Sequence, residues 1–250
     1  MKALRVHSYG QPPRLDEVPE PQVTRPDDVI VRISGTGLCR TDLHIIDGWL
    51  ADTIPAELPL VLGHENAGWV HAVGPAVEHL AVGDPVICHP NLTCGVCPAC
   101  RIGDNMRCSA GPNLPGVTSA GGMAELFKTS ARAIVKLGSG TTPADLAALA
   151  DAGLTAYHAV RKAVPALGPG SSAVAVGAGG LGHIGIQCLK AMTPPPVVAS
   201  PCPAAARLNS FQVTPPCAHT VRLRGSTLTP LISARSIIRP PSVTASPATP

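Results

Sequence analysis

Four cysteines, Cys94, Cys97, Cys100 and Cys108, stand at the spacing C-x2-C-x2-C-x7-C, with Gly95, Pro98 and Gly103 supplying tight turns between them. Four thiolates that converge close a tetrahedral shell around zinc, with Zn–S of about 2.3 Å, and leave no position for water or substrate. The chemistry expected here is therefore structural. Disulfides and unconnected thiols are the alternatives, and disulfides are disfavoured in a reducing compartment.

A second set of donors is looser. Cys39-Arg40-Thr41-Asp42-Leu43-His44 precedes Gly63-His64-Glu65. A thiolate at Cys39 and an imidazole at His64 would supply two ligands of a catalytic zinc, which needs three protein ligands and one open position. Spacing alone carries this pair little, because a lone Cys and a lone His are more often core residues. A third feature is Gly177-Ala178-Gly179-Gly180-Leu181-Gly182, a G-x-G-x-x-G. After a strand and at the opening of a helix, such a run lets the backbone approach a pyrophosphate and points N–H donors at it. A glycine turn of purely structural use is the alternative.

The chain that must position these groups has 250 residues, 45% of them hydrophobic, enough for one large domain or two modest ones. Only 14% are charged and the net charge is +3, too little to make nucleic acid or an anionic membrane the main partner. No apolar run approaches the roughly 20 residues of a membrane helix. Met1 to His7 lacks the long apolar segment of a signal peptide, so a cytoplasmic location is expected.

Val29–Ile33, Trp69–Val73 and Asp84–Cys88 read as short strands punctuated by glycine and proline, which suggests a compact β-barrel. Leu43–Ile46 reads as a short helix. From Pro143 to Ala163 the apolar residues Leu146, Leu149, Leu154, Tyr157 and Val160 recur at helical spacing, with Gly153 interrupting. Ala173–Val176 is a buried-type strand, the glycine turn follows, and Leu181–Ala191 is an apolar helix: the first step of a parallel α/β sheet.

Gly63 to Val77 reads G-H-E-x2-G-x5-G-x2-V, with Gly68 and Gly74 in place. With Cys39-Arg40-Thr41-Asp42, the four-cysteine run and the glycine turn in the same order, this resembles the zinc-containing alcohol dehydrogenases of the medium-chain dehydrogenase/reductase family. The resemblance covers about residues 1–192. It implies α+β and α/β architecture: a GroES-like β-barrel catalytic domain over 1–150 with a structural zinc lobe at about 90–110, then the start of an incomplete Rossmann domain over 151–192.

It also implies two zincs per chain. Cys39 and His64 correspond to ligands of the catalytic zinc, and Asp151, in the Leu149–Thr155 segment that matches the third-ligand region, would be the third; Asp151 as a helix surface charge stays open. Glu65 would sit behind the ligands or visit the metal during water exchange, and Asp42 would accept the remaining N–H of His64. Thr41 and His44 match the family's proton relay. Arg40, Gly177, Gly179, Gly180, Leu181, Gly182 and Thr155 would bind the dinucleotide. The implied reaction oxidises a primary or secondary alcohol to an aldehyde or ketone by hydride transfer to NAD(P), with NAD favoured over NADP. The implied partners are a small alcohol or carbonyl substrate and, in the family, further copies of the chain. Trp49 and Leu50, just past the relay, are candidates for lining a pocket, with core packing as the alternative.

The match stops near Met192. All 16 acidic residues lie before that point, the last being Asp151, whereas 193–250 holds five Arg, no Lys and 12 of the 28 prolines. The body carries 14 basic and 16 acidic groups, net −2, and the rest +5. Such a segment is expected to be a disordered tail or an out-of-frame one. It offers no acid after the second strand, Val197-Val198-Ala199, to hold the cofactor's ribose. The alternative function is accordingly a catalytically inactive zinc-binding remnant of the family.

Overall fold

In the computed structural model the described residues are 1–168, 171–193 and 196–200, with only the backbone of short strands within 218–238. Ten strands and five helices organise residues 1–200. They are β1 (Lys2–Val6), β2 (Arg14–Glu17), β3 (Asp28–Cys39), α1 (Arg40–Ile46), β4 (Leu60–Val61), β5 (Asn66–Val73) and β6 (Pro85–Cys88). Then come α2 (Pro98–Arg101), β7 (Leu126–Ser130), β8 (Ile134–Lys136), α3 (Pro143–Leu146), α4 (Ala152–Ala163), β9 (Ala173–Val176), α5 (Gly180–Met192) and β10 (Val197–Ser200).

β3 is the backbone of the first part. It pairs antiparallel with β5 along one edge and with β7 along the other, and β5 continues through β6 to β8. Two register shifts against β5, at Ile30/Val31 and Ile33/Gly35, bend the strand. The first half of β3 is apolar and buried; Val29 and Val31 pack with Val70, Val86, Phe127 and Ile134 in the main core. The glycine that follows, Gly35, leaves room for α3, since a Cβ there would lie 2.9 Å from Ala144 Cα. A second sheet, β2-β1-β4, carries Val6 and Leu60 into a separate core with Ile45, Leu62 and Val117. Among the described residues the strand path runs β7-β3-β5-β6-β8, and no pairing between β7 and β8 closes the expected barrel.

The periodic stretch from Pro143 to Ala163 is not one helix. α3 gives way to a 3-10 turn over Ala147–Ala150, and Asp151, at φ −125° and ψ −46°, stands outside helical geometry before α4 begins. The break comes two residues before Gly153, which sits within α4. α4 and α5 pack together through Val160, Ala163 and Leu189 against Ala173 of β9. β9, α5 and β10 form a β–α–β unit whose two strands run parallel, with Ala173 opposite Val197 and Val176 opposite Ser200.

The expectation of a disordered or out-of-frame segment over 193–250 falls mostly outside the described residues. Of the strands described there, Val221–Leu223 runs antiparallel to β9 and Arg235–Ile238 antiparallel to the end of β3. No helix among the described residues is long and apolar enough to cross a membrane.

Candidate metal centre

The junction between β3 and α1 presents Cys39. It is the N-cap of α1: its Sγ accepts the Thr41 N–H at 3.2 Å, and Asp42 Oδ2 accepts the Cys39 N–H at 2.7 Å. This reciprocal capping box holds the thiol, 3% exposed, at the mouth of the helix. Asp42 itself is fully buried.

His64 arrives from the β4–β5 loop. Gly63 takes φ +97°, and Asn66 Nδ2 donates to the Gly63 carbonyl at 3.0 Å while Asn66 Oδ1 accepts from Thr36 Oγ1 at 3.0 Å. The His64 ring is 4% exposed. Its Nδ1 faces Asp42 Oδ1 at 3.4 Å and its Nε2 faces Asp151 Oδ2 at 3.5 Å, yet neither nitrogen completes a hydrogen bond. Burial lowers its pKa, but the Asp42 carboxylate and Cys39 outweigh this and raise it to about 10. The surroundings of this ring thus favour positive charge.

Asp151 supplies the third donor from the break before α4. Thr155 Oγ1 donates to its Oδ1 at 2.9 Å, leaving Oδ2 toward His64. One donor atom each from Cys39, His64 and Asp151 lies within 4.8 Å of the others. Ligands of one tetrahedral zinc sit roughly 3.3–3.8 Å apart, given bond lengths of about 2.0–2.3 Å. The His64–Asp151 separation falls in that range. The buried, unbonded Nε2 and a donor set of thiolate, imidazole and carboxylate fit a zinc with three protein ligands.

Glu65 is completely buried, and its Oε1 accepts the Ala152 N–H at 3.0 Å. It reaches the start of α4. Thr155, expected to contact the dinucleotide, donates its hydroxyl hydrogen to Asp151. The i, i+4 spacing of Asp151 and Thr155 on one helical face was the signal for this contact.

Thr41, Arg40 and His44 all lie on α1 and are half-buried. The His44 ring stacks on Trp49 with centroids 4.6 Å apart, and its pKa is lowered by burial and by the Arg40 charge. Trp49 is exposed, while Leu50, half-buried, packs against the core around Val6 and Leu60.

The four cysteines of the lobe also converge, each offering a sulfur within 4.8 Å of the rest. Cys94 and Cys100 Sγ are 4.0 Å apart, near the roughly 3.8 Å edge of a ZnS4 tetrahedron. None of the four is in a disulfide. Gly95 and Gly103 take φ +75° and +83°, and Pro98 opens α2 directly after Cys97. N–H groups of Ser109 and Cys100 lower the Cys97 pKa to about 5. Arg132 ties the lobe to the sheet through Thr93 Oγ1 at 3.2 Å and Asn105 Oδ1 at 2.9 Å.

At the glycine turn, Gly177 takes φ +89°, Gly179 is the N-cap of α5 with no side-chain cap, and Gly180, Leu181 and Gly182 form its first turn. A Cβ on Gly182 would overlap the Gly177 carbonyl oxygen. The helix N–H groups therefore lack a side-chain acceptor, and helix and turn are packed to glycine distance. A mostly apolar cleft of about 800 Å³ lies between β6 and the α4–α5 pair, lined by Ile87, Leu149, Leu154, Tyr157 and Ile184 among others. None of the three candidate zinc ligands lines it.

Residues 25–139 match the family described as alcohol dehydrogenase GroES-like domain. An alcohol dehydrogenase of Geobacillus stearothermophilus is 37% identical over 194 residues, covering 77% of this chain and 56% of that protein. An NAD-dependent alcohol dehydrogenase of Sulfolobus acidocaldarius is 36% identical over 197 residues, again 77% and 56%. Among solved structures, the alcohol dehydrogenase of Aeropyrum pernix superposes with TM-score 0.76 at 46% identity, covering 80% of this chain and 58% of that one. The chain thus spans a little over half the length of the curated relatives it matches. Residues 25–139 thus form an alcohol dehydrogenase GroES-like domain, and over about 77% of its length the chain is homologous to alcohol dehydrogenases, zinc-binding ones among them.

Proposed function

We propose that this chain carries the metal centre of an NAD(P)-dependent alcohol dehydrogenase acting on a primary or secondary alcohol. The observation that carries the reading is the convergence of Cys39, His64 and Asp151, with His64 Nε2 buried between them and no hydrogen bond made. Cys39, His64 and Asp151 would hold a catalytic zinc, and Cys94, Cys97, Cys100 and Cys108 a structural one. When bound, zinc supplies a Lewis acid that acidifies an alcohol, and a nicotinamide dinucleotide supplies the hydride acceptor.

The protein's own residues do the rest. Asp42 stands against His64 Nδ1 and caps the helix that presents Cys39, so one carboxylate orients both donors. Thr41 offers a hydroxyl two residues from Cys39, and the imidazole of His44, on the same helix, would accept the departing proton. The unit β9–α5–β10 is read as the opening of a Rossmann domain, with the domain boundary near residue 150. The free N–H groups of α5 would receive the pyrophosphate, with Arg40 as a second contact. NAD is favoured over NADP, as in the name of the Sulfolobus relative. No acid follows β10 in the sequence to enforce that choice, so discrimination should be weak.

The test is metal analysis together with titration of NADH fluorescence on the purified chain. Two zincs per chain, falling to one in Cys39→Ser, and an NADH signal support the reading. One zinc in the parent chain removes the catalytic centre. Two zincs without NADH binding would leave the alternative, a zinc-binding member of the family without dehydrogenase activity.

A further inference from the structure

We propose that Glu65 is a positioning residue: its carboxylate grips the start of α4 and thereby aims Asp151 at His64. The inference rests on the metal site proposed above. The Ala152 N–H belongs to the first turn of α4, where no helical carbonyl can receive it, and Ala152 is 1% exposed, so water cannot either. Glu65 Oε1 receives it at 3.0 Å. That N–H lies in the peptide unit joining Asp151 to Ala152, so the bond fixes the orientation of the peptide next to the third ligand. The Thr155 hydroxyl then holds Asp151 Oδ1, and Oδ2 is left toward His64.

Two features make the grip specific. Glu65 follows His64 directly, so one loop carries both a ligand and the clamp on another ligand's helix. Gly37 leaves the space the carboxylate fills: a Cβ there would overlap Glu65 Oε2, and the Gly37 N–H donates to the Glu65 carbonyl at 2.8 Å. The clamp needs a hydrogen-bond acceptor at Oε1, and it does not need a negative charge. This separates positioning from a role in which Glu65 itself enters the metal's coordination.

The experiment compares Glu65→Ala, Glu65→Gln and Gly37→Ala in the full chain. Zinc release is followed against chelator with a chromogenic dye, the lobe zinc serving as internal control for folding. Glu65→Ala and Gly37→Ala should release the Cys39-site zinc at ~10–100-fold lower chelator than the parent. Glu65→Gln, whose amide oxygen still accepts, should stay close to the parent. Hydrogen exchange of the metal-free proteins gives a second reading: the Ala152 amide should be protected in the parent and Glu65→Gln, and exposed in Glu65→Ala. Equal loss in Glu65→Gln and Glu65→Ala, or unchanged release and exchange in Glu65→Ala, overturns the positioning role. A parent chain that binds only one zinc overturns the metal reading beneath it, and the exchange data still decide whether Glu65 holds α4.

Discussion

Asp42 bridges the two ends of the candidate metal site: Oδ2 takes the Cys39 N–H at 2.7 Å, while Oδ1 faces His64 Nδ1 at 3.4 Å. One buried carboxylate therefore caps the helix that presents the thiol and stands against the ring that presents the imidazole. Partners of this kind orient a ligand and raise its basicity. Asp42→Asn keeps an acceptor for the cap and removes the charge beside His64. Zinc at this site should weaken by ~10–100-fold with the fold retained, read by chelator competition and circular dichroism.

Thr41 is the hydroxyl nearest in sequence to Cys39, and its backbone, not its side chain, supports the Cys39 sulfur. Thr41→Ala should leave zinc content unchanged and lower turnover by ~10²-fold or more, with Thr41→Ser restoring most of it. Full activity in Thr41→Ala would remove Thr41 from the relay.

The cysteines should divide sharply in reactivity. Burial pushes the Cys88 thiol up to about 12, whereas hydrogen bonds from Ser109 and Cys100 bring Cys97 down to about 5. At neutral pH, alkylation after chelation should label the lobe cysteines, exposed Cys94 among them, and leave Cys88 unmodified in the folded chain. Zinc should protect all four lobe cysteines, and peptide mass mapping reads each site.

Asp28 anchors the start of β3. Burial raises its pKa, but N–H groups of Thr24 and Arg25, the Thr24 hydroxyl and Lys128 outweigh this and lower it below 3.8. A depressed folded pKa means stability that is present above the unfolded value and lost as pH falls through the folded one. Asp28→Asn should cost ~1–3 kcal/mol at pH 7. Its deficit should shrink below pH 3.8, which denaturant melts at pH 7 and pH 3 would check.

Gly182 packs where a Cβ would strike the Gly177 carbonyl. Gly182→Ala should push α5 away from the turn and weaken NADH binding by at least ~10-fold, while both zincs stay bound. Fluorescence titration beside metal analysis separates the two effects. Unchanged NADH affinity would mean that the turn does not carry the dinucleotide.

Much of the site was legible along the chain because its parts are local. The lobe's ligands come from 15 consecutive residues, and glycine and proline at their turns mark the path. The β–turn–α step after Ala173 follows from a buried run, a glycine-rich turn and an apolar helix. Each is short-range, so side-chain type and spacing suffice.

Other relations required the folded chain. The helical pattern from Pro143 to Ala163 put its interruption at Gly153, whereas the chain breaks at Asp151, where Glu65, 87 positions away, takes the Ala152 N–H. Whether Leu50 lines a pocket or packs in a core was open from sequence, and it packs half-buried against the Val6 and Leu60 core. Gly37 carries no signal in sequence, since the atom it makes room for belongs to another strand's loop. Residue type and spacing determined which groups are able to bind metal or approach a phosphate. Which of them share one point in space was decided by long-range strand pairing and helix packing, because only these bring Cys39, His64 and Asp151 within 4.8 Å.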